Sequence, residues 1–279
     1  MSQSLIRGIL NNDHGLIAKT ISLIENDKIQ TDVLGKLYPH SNKSIRVGIT
    51  GPPGAGKSTI TNALIEVCLA NNKSVGVIAV DPSSPFTGGS LLGDRIRMNK
   101  YSWNDEVFIR SLGSHGDLGG LSRKSQEIGD VLAASGKDFI FFETVGVGQG
   151  EHDIINAADI CLVILVPESG DEIQLMKAGL IEIADIFVVN KSDRQGANRI
   201  TSLLKNVLHS FTPQDKIQPP IFNMVATKSE GVIELFRGLK SHLKTMEKSG
   251  ELEKKRLNRY RNRVCELVRE ALEISFWNS

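Results

Sequence analysis

Hydrophobic residues fall into two rhythms along this chain. Near the N-terminus Leu5, Ile6 and Ile9, then Ile17, Ile21 and Ile24, recur at helical spacing among polar residues. Residues 1–44 therefore predict a short helical extension, ending near Tyr38-Pro39 because proline disfavours helix in the residue before it. Across residues 45–240 the rhythm changes. Short β-rich runs at 45–50, 74–80, 107–110, 139–143, 160–166, 186–190 and 221–225 alternate with helical segments. Most of these runs are continuously apolar, the pattern of strands buried on both faces of a mainly parallel sheet. The alternation predicts an α/β fold, a mainly parallel central sheet with helices on both faces and right-handed crossovers. Residues 241–279 are dense in charge from Lys244 to Arg263, while Leu257, Tyr260, Val264, Leu267, Val268 and Ala271 keep helical spacing. This arm is read either as an amphipathic helix packed on the domain or as a dimerisation arm. Interleaved acidic residues and few aromatics argue against nucleic acid there.

Composition narrows the picture. Of the 279 residues, 40% are hydrophobic and 23% charged, enough for a sizeable core and unlike a disordered or collagen-like chain. The 33 basic and 32 acidic side chains leave a net charge of +1, which gives no electrostatic case for nucleic acid or a membrane surface as the main partner. The longest apolar run, residues 160–167, falls short of the ~20 residues that span a bilayer. The N-terminal stretch lacks the apolar segment of a secretory signal. Three widely spaced cysteines, Cys68, Cys161 and Cys265, suggest a reducing cytoplasm and offer no paired metal or redox site.

The strongest chemical signal is GPPGAGKST at 51–59, which fits the phosphate-loop pattern at Gly51, Gly56, Lys57 and Ser58. An apolar strand leads in and a helical segment leads out. Backbone N–H groups of the loop wrap a phosphate, and the helix N-terminus adds partial positive charge. Gly51, Pro52, Pro53, Gly54, Ala55, Gly56, Lys57, Ser58 and Thr59 are thus the expected nucleotide contacts, with Lys57 at the β- and γ-phosphates and Ser58 on Mg²⁺. Three carboxylates could share that metal. Asp81 ends the second apolar run, at the strand end where α/β folds bind ligands. Glu143 ends FIFFE, where a bare carboxylate after four apolar residues is costly without a cation. Asp94 lies in a glycine-rich loop. Two of them have plainer alternatives, a helix cap for Asp81 and a solvated loop charge for Asp94. Gly146 completes E-x-x-G where many GTPases carry D-x-x-G, a turn whose N–H can contact the γ-phosphate and rearrange when it leaves.

The run at 186–190 leads into Asn190-Lys191-Ser192-Asp193, the N-K-x-D sequence that reads guanine. Its aspartate accepts from guanine N1–H and the 2-amino group, donors that adenine lacks, and such a site discriminates by ~10⁴ or more. Asn190 is expected to brace the loops and the Lys191 stem to lie over the base. Backbone N–H groups near Val225, Ala226 and Thr227 are candidates for guanine O6.

Several long blocks carry a resemblance: GITGPPGAGKST, AVDPSSPFTGGSLLGDRIRM, FIRSLGSHGDLGGLS, FFETVGVGQGEHDI and PESGDEIQLMKAGLIEIADIFVVNKSD. Together they resemble the MeaB/ArgK family of GTPases associated with methylmalonyl-CoA mutase and related cobalamin-dependent acyl-CoA mutases. The resemblance runs from about residue 5 to about residue 240. It implies a SIMIBI-type phosphate-loop GTPase with helical N- and C-terminal extensions, working as a homodimer with GTP, GDP and Mg²⁺. The implied organisation is a helical extension at 1–44, the GTPase domain at 45–240 and a helical arm at 241–279. By the same resemblance Asp81, Asp94 and Glu143 belong to the metal and switch region. The segment 168–177, with Asp171, Gln174 and Lys177, is a further switch that signals to the mutase. The implied role is a cytoplasmic G-protein chaperone that gates adenosylcobalamin transfer to the mutase and protects it. The chain departs from the family in ending at Ser279, where members continue with a further helical tail, in GQGE for GQSE, and in NKSD for NKAD.

Hydrolysis then needs mainly positioning and charge neutralisation. Lys57, Glu143 and Asp94 are the expected catalytic residues. The water-orienting group is open among Glu143, Asp94 and Gln149, and Lys177 either supplies charge or is a solvated lysine. Two other readings remain. A metal-insertion GTPase would need a metal-transfer site, which the six scattered histidines do not supply. A kinase or ATPase of an arginine/ornithine transport system would need ATP, against which NKSD argues.

Overall fold

The computed structural model describes residues 2–82, 99–101, 103–114, 118–144, 157–169, 180–211 and 217–277. Each apolar run of the central region forms a strand: β1 (Ile45–Thr50), β2 (Val75–Pro82), β3 (Val107–Ser114), β4 (Phe139–Glu143), β5 (Ile160–Leu165), β6 (Ile186–Val189) and β7 (Ile221–Asn223). All seven pair parallel in one sheet, in the order β3-β2-β4-β1-β5-β6-β7. The helices are α1 (Ser2–Leu10), α2 (His14–Glu25), α3 (Thr31–Leu37), α4 (Lys57–Ala70), α5 (Leu118–Ala134), α6 (Leu180–Ile183), α7 (Ala197–Phe211), α8 (Val232–Lys248) and α9 (Glu251–Trp277). Strand β3 runs past its apolar run because Ser111 to Ser114 stay in register with Ala79 to Pro82 of β2. Strand β7 stops short, and Val225 instead bridges Glu230 within the following loop.

Burial on both faces explains the continuously apolar runs: β4, β5 and β6 are buried at every position. Alternate β4 residues serve opposite faces. Ile140 and Phe142 join Ile128 and Leu132 of α5 and Ile9, Ile17, Ile21, Ile24 and Leu37 of the N-terminal helices. Phe139 meets Phe236 of α8, with ring centroids 5.7 Å apart. Beyond β1, Cys161, Val163, Phe187 and Val189 pack with Ile200 and Leu204 of α7.

The N-terminal helices thus share a core with the sheet. Asp13 starts α2 by accepting from the Leu16 amide at 2.9 Å. Pro39 falls in the single 3₁₀ turn Tyr38–His40 that follows α3. Arg110 of β3 pairs with Glu25, and the Lys124 ammonium donates to the Glu25 carbonyl at 2.8 Å. The Asp105 carbonyl, just before β3, gathers Lys137 Nζ at 2.7 Å, Asn12 Nδ2 at 3.1 Å and His14 Nε2 at 3.1 Å.

The chain divides into two compact units, Met1–Leu239 and Lys240–Ser279. The second contains α9, a 27-residue helix whose Leu257, Tyr260, Val264, Leu267, Val268, Leu272 and Phe276 are exposed. Among the described residues no helix is long and apolar enough to cross a membrane.

Strand β1 holds the centre of the sheet, and the chain crosses from one side of it to the other between β4 and β5. A parallel sheet opens a crevice at such a switch point, beyond the carboxyl ends of its strands.

Candidate functional site

The phosphate loop occupies that crevice, between β1 and α4. Two glycines are demanded by geometry. Gly51 has φ 142°, and a Cβ there would lie 2.1 Å from the Ile164 carbonyl oxygen. Gly56 caps α4 at φ 92°, and a Cβ would lie 2.4 Å from Asn190 Nδ2. The cap supplies no side-chain acceptor, so the first turn of α4 presents its backbone N–H groups as anion-binding helix termini do. Lys57 curls over the loop and is buried. Its ammonium donates to the carbonyls of Gly51 at 2.9 Å and Pro52 at 3.1 Å, which holds the charge across the loop mouth.

Next along α4, Ser58 Oγ donates to Glu143 Oε1 at 2.5 Å. Thr61 Oγ1 lies 2.9 Å from Glu143 Oε2. Glu143 ends β4 in register with Ile49 of β1 and Ala79 of β2, and it is buried. Beside it the Thr144 hydroxyl donates to Thr50 Oγ1 at 3.1 Å. The carboxylate that looked costly after FIFF is thus met by two hydroxyl donors. A Ser58 hydroxyl that donates to Glu143 keeps its lone pairs for a cation. A hydroxyl and a carboxylate oxygen at one spot suit Mg²⁺, a hard ion that takes few protein ligands beside phosphates and water.

Asp81 lies near the C-terminal end of β2, as expected of its run, opposite Gly113 of β3. Its side chain lies outside the described residues, as do Asp94, Gly146, Gln149, Asp171, Gln174 and Lys177.

The N-K-x-D segment follows β6 directly. Asn190 Nδ2 donates to the Ala55 carbonyl at 2.8 Å, and its Oδ1 accepts from the Ala226 amide at 3.1 Å. One buried side chain therefore ties the phosphate loop to the loop after β7. Lys191 takes a left-handed conformation at φ 56°. The Ser192 amide donates to the Met224 carbonyl at 3.0 Å, which joins the N-K-x-D segment to the loop after β7 a second time. Asp193 is half-exposed, and its Oδ2 accepts from Lys228 at 3.3 Å. Val225 and Ala226 are buried and Thr227 is exposed. Arg194 pairs with Glu168, at the start of the 168–177 segment, and its hydrogen bond holds the Glu168 carboxyl below the ordinary range.

Thr61 and Lys228 do not stand out in the sequence. The available signal for Thr61 was a hydroxyl at i+3 from Ser58, on the same face of the helix. For Lys228 there was no local signal, since its partner is remote in the chain.

The family described as "Methylmalonyl Co-A mutase-associated GTPase MeaB" matches residues 17–279. A Pyrococcus horikoshii protein described as a GTPase is 47% identical over 268 residues, covering 95% of this chain and 84% of its own length. GTPase ArgK of Escherichia coli is 34% identical over 260 residues, covering 90% of this chain and 78% of its own. A crystal structure of a LAO/AO transport system kinase superimposes with a TM-score of 0.77 at 26% identity, covering 99% of this chain and 85% of that one.

Proposed function

The chain belongs to the MeaB/ArgK family of mutase-associated GTPases, and from that premise we propose that it is a G-protein chaperone for a cobalamin-dependent acyl-CoA mutase. Methylmalonyl-CoA mutase is the partner the reading favours, with the GTPase gating adenosylcobalamin loading and protecting the loaded enzyme. The observation that carries it is the extent of the family match, residues 17–279, which spans the phosphate loop, Glu143 and Asn190 to Asp193 alike.

As a GTPase the chain cleaves GTP to GDP and phosphate. In our reading Lys57, at the loop mouth, neutralises charge on the β- and γ-phosphate oxygens. The loop amides and the first turn of α4 orient the phosphates. Mg²⁺, when bound, would supply Lewis-acid charge to the phosphates. Ser58 and Glu143 are the residues beside it, and Asp81 and Asp94 are assigned to the same region. With its two oxygens facing hydroxyl donors, Glu143 serves as an orienting acceptor rather than a free base. Asp193 reads guanine, and Asn190 couples the base loop to the phosphate loop. Gly146 and the residues Asp171, Gln174 and Lys177 are assigned to the switches that answer γ-phosphate loss.

We further propose the three-part organisation of extension (1–44), GTPase domain (45–240) and arm (241–279). The arm forms a homodimer through the apolar stripe of α9. The three cysteines, with Cys68 and Cys161 buried and unbridged, support a cytoplasmic setting.

The test is steady-state GTP and ATP hydrolysis by the purified chain, alone and with a cobalamin-dependent acyl-CoA mutase from the same source. GTP-selective turnover that rises with the mutase is the expected outcome. GTP turnover indifferent to every mutase removes the partner, and preference for ATP returns weight to the transport-kinase reading.

A further inference from the structure

We propose that Thr61 is a positioning residue for the magnesium site, acting through Glu143. The inference rests on the assignment of Glu143 beside the metal. Ser58 and Thr61 stand at i and i+3 on α4, so both hydroxyls face the same way. They meet opposite oxygens of one carboxylate, Ser58 at Oε1 (2.5 Å) and Thr61 at Oε2 (2.9 Å). Thr61 is completely buried, and Glu143 is 3% exposed.

A threonine inside a helix ordinarily turns its hydroxyl back to the carbonyl one turn earlier. That acceptor is present here, with the Lys57 carbonyl 3.0 Å away. The single hydroxyl hydrogen cannot fully serve both oxygens, and the charge-assisted bond to a carboxylate is the stronger. Glu143 is also longer than the aspartate of D-x-x-G. Its extra methylene adds a torsion, and each fixed contact on the carboxylate restrains it. Thr61 supplies the second anchor, so the carboxylate plane stays fixed when the Ser58 oxygen turns its lone pair to the cation. Loss of the Thr61 hydroxyl removes one donor from a buried carboxylate and loosens its hold beside Ser58.

The experiment compares Thr61→Val, which keeps the shape and removes the hydroxyl, with Thr61→Ser, which keeps the hydroxyl and removes a methyl. Thr61→Ala removes the hydroxyl without a branched replacement, should the valine variant fail to fold. Two readouts are taken on the full chain: GTP turnover, and release of a fluorescent GDP analogue across a Mg²⁺ titration. The valine variant is expected to lose on the order of tenfold in kcat, with KM for GTP little changed, as one charge-assisted bond would dictate. The Mg²⁺ concentration needed to retain GDP should rise by a similar factor, and the serine variant should restore both. A valine variant with wild-type kcat and Mg²⁺ dependence, or a serine variant more damaged than the valine one, overturns the proposal in favour of packing. Glu143→Gln separates the premise: unchanged Mg²⁺ dependence there removes Glu143 from the metal, and Thr61 with it.

Discussion

Asn190 donates to the Ala55 carbonyl and accepts the Ala226 amide, and all three residues are buried. Each backbone group would otherwise lack a partner, at a cost of ~1–3 kcal/mol apiece. The same contact explains the glycine at 56, since any side chain there would strike the Asn190 amide. Asp193, by contrast, is half-exposed and, among the described residues, is held by Lys228, a partner its carboxylate can exchange for a base. At this scale selectivity is the testable quantity. Asp193→Asn replaces one of two acceptors with a donor facing guanine donors. It should erode the GTP-over-ATP preference by at least ~100-fold of the ~10⁴ such a site provides. Competition binding against both nucleotides measures it, and unchanged selectivity would take Asp193 out of the base site.

Among the elements, the apolar core that joins the N-terminal helices to the sheet is supplemented by one crowded acceptor, the Asp105 carbonyl, with Lys137, Asn12 and His14 around it. Lys137 is buried, and desolvation lowers its ammonium to about 8, against the partial support of Glu106 and Asp105. Burial, and then the Lys137 charge, also push the His14 imidazole below 6.5. Between about pH 8 and the ordinary lysine value of 10.5 the unfolded chain holds the Lys137 proton more often than the folded one. Stability contributed at this site therefore rises with pH across that window and is lost as pH falls through about 8. Urea unfolding at pH 7.5 and 9.5 should show a rise on the order of 2 kcal/mol that Lys137→Met lacks. Equal pH slopes in the two proteins would show that Lys137 is not the group responsible.

For the whole molecule the near-neutral charge leaves association to apolar surface. The widest apolar stripe among the described residues lies on α9, where Leu257, Tyr260, Val264, Leu267 and Ala271 alternate at spacings of three and four, the seam of a coiled coil. A second copy bearing the same stripe would bury it. Sedimentation velocity should find a dimer at micromolar concentration and a monomer for Leu267→Glu, with GTP turnover per chain retained without the mutase. A monomeric wild type would leave the stripe to another partner.

The strand cores were legible because a parallel sheet covered on both faces demands unbroken apolar runs, and the 160–166 run met that demand throughout, as the 139–143 and 186–190 runs did up to their last residue. The shape of the glycine loop was equally legible, since the positive φ angles at Gly51 and Gly56 and the helix that starts at Lys57 are set within a few residues. The pattern did not foretell that Ser111 to Ser114 extend β3, because pairing with β2 outweighs their polar character. The order of the strands, the meeting of Asn190 with Ala55 and Ala226, and the clasp of Glu143 between Ser58 and Thr61 were decided only in three dimensions. Local spacing sets which face of an element a residue occupies. What waits across from that face depends on how remote elements pack, and only the tertiary structure brings those partners within hydrogen-bonding distance.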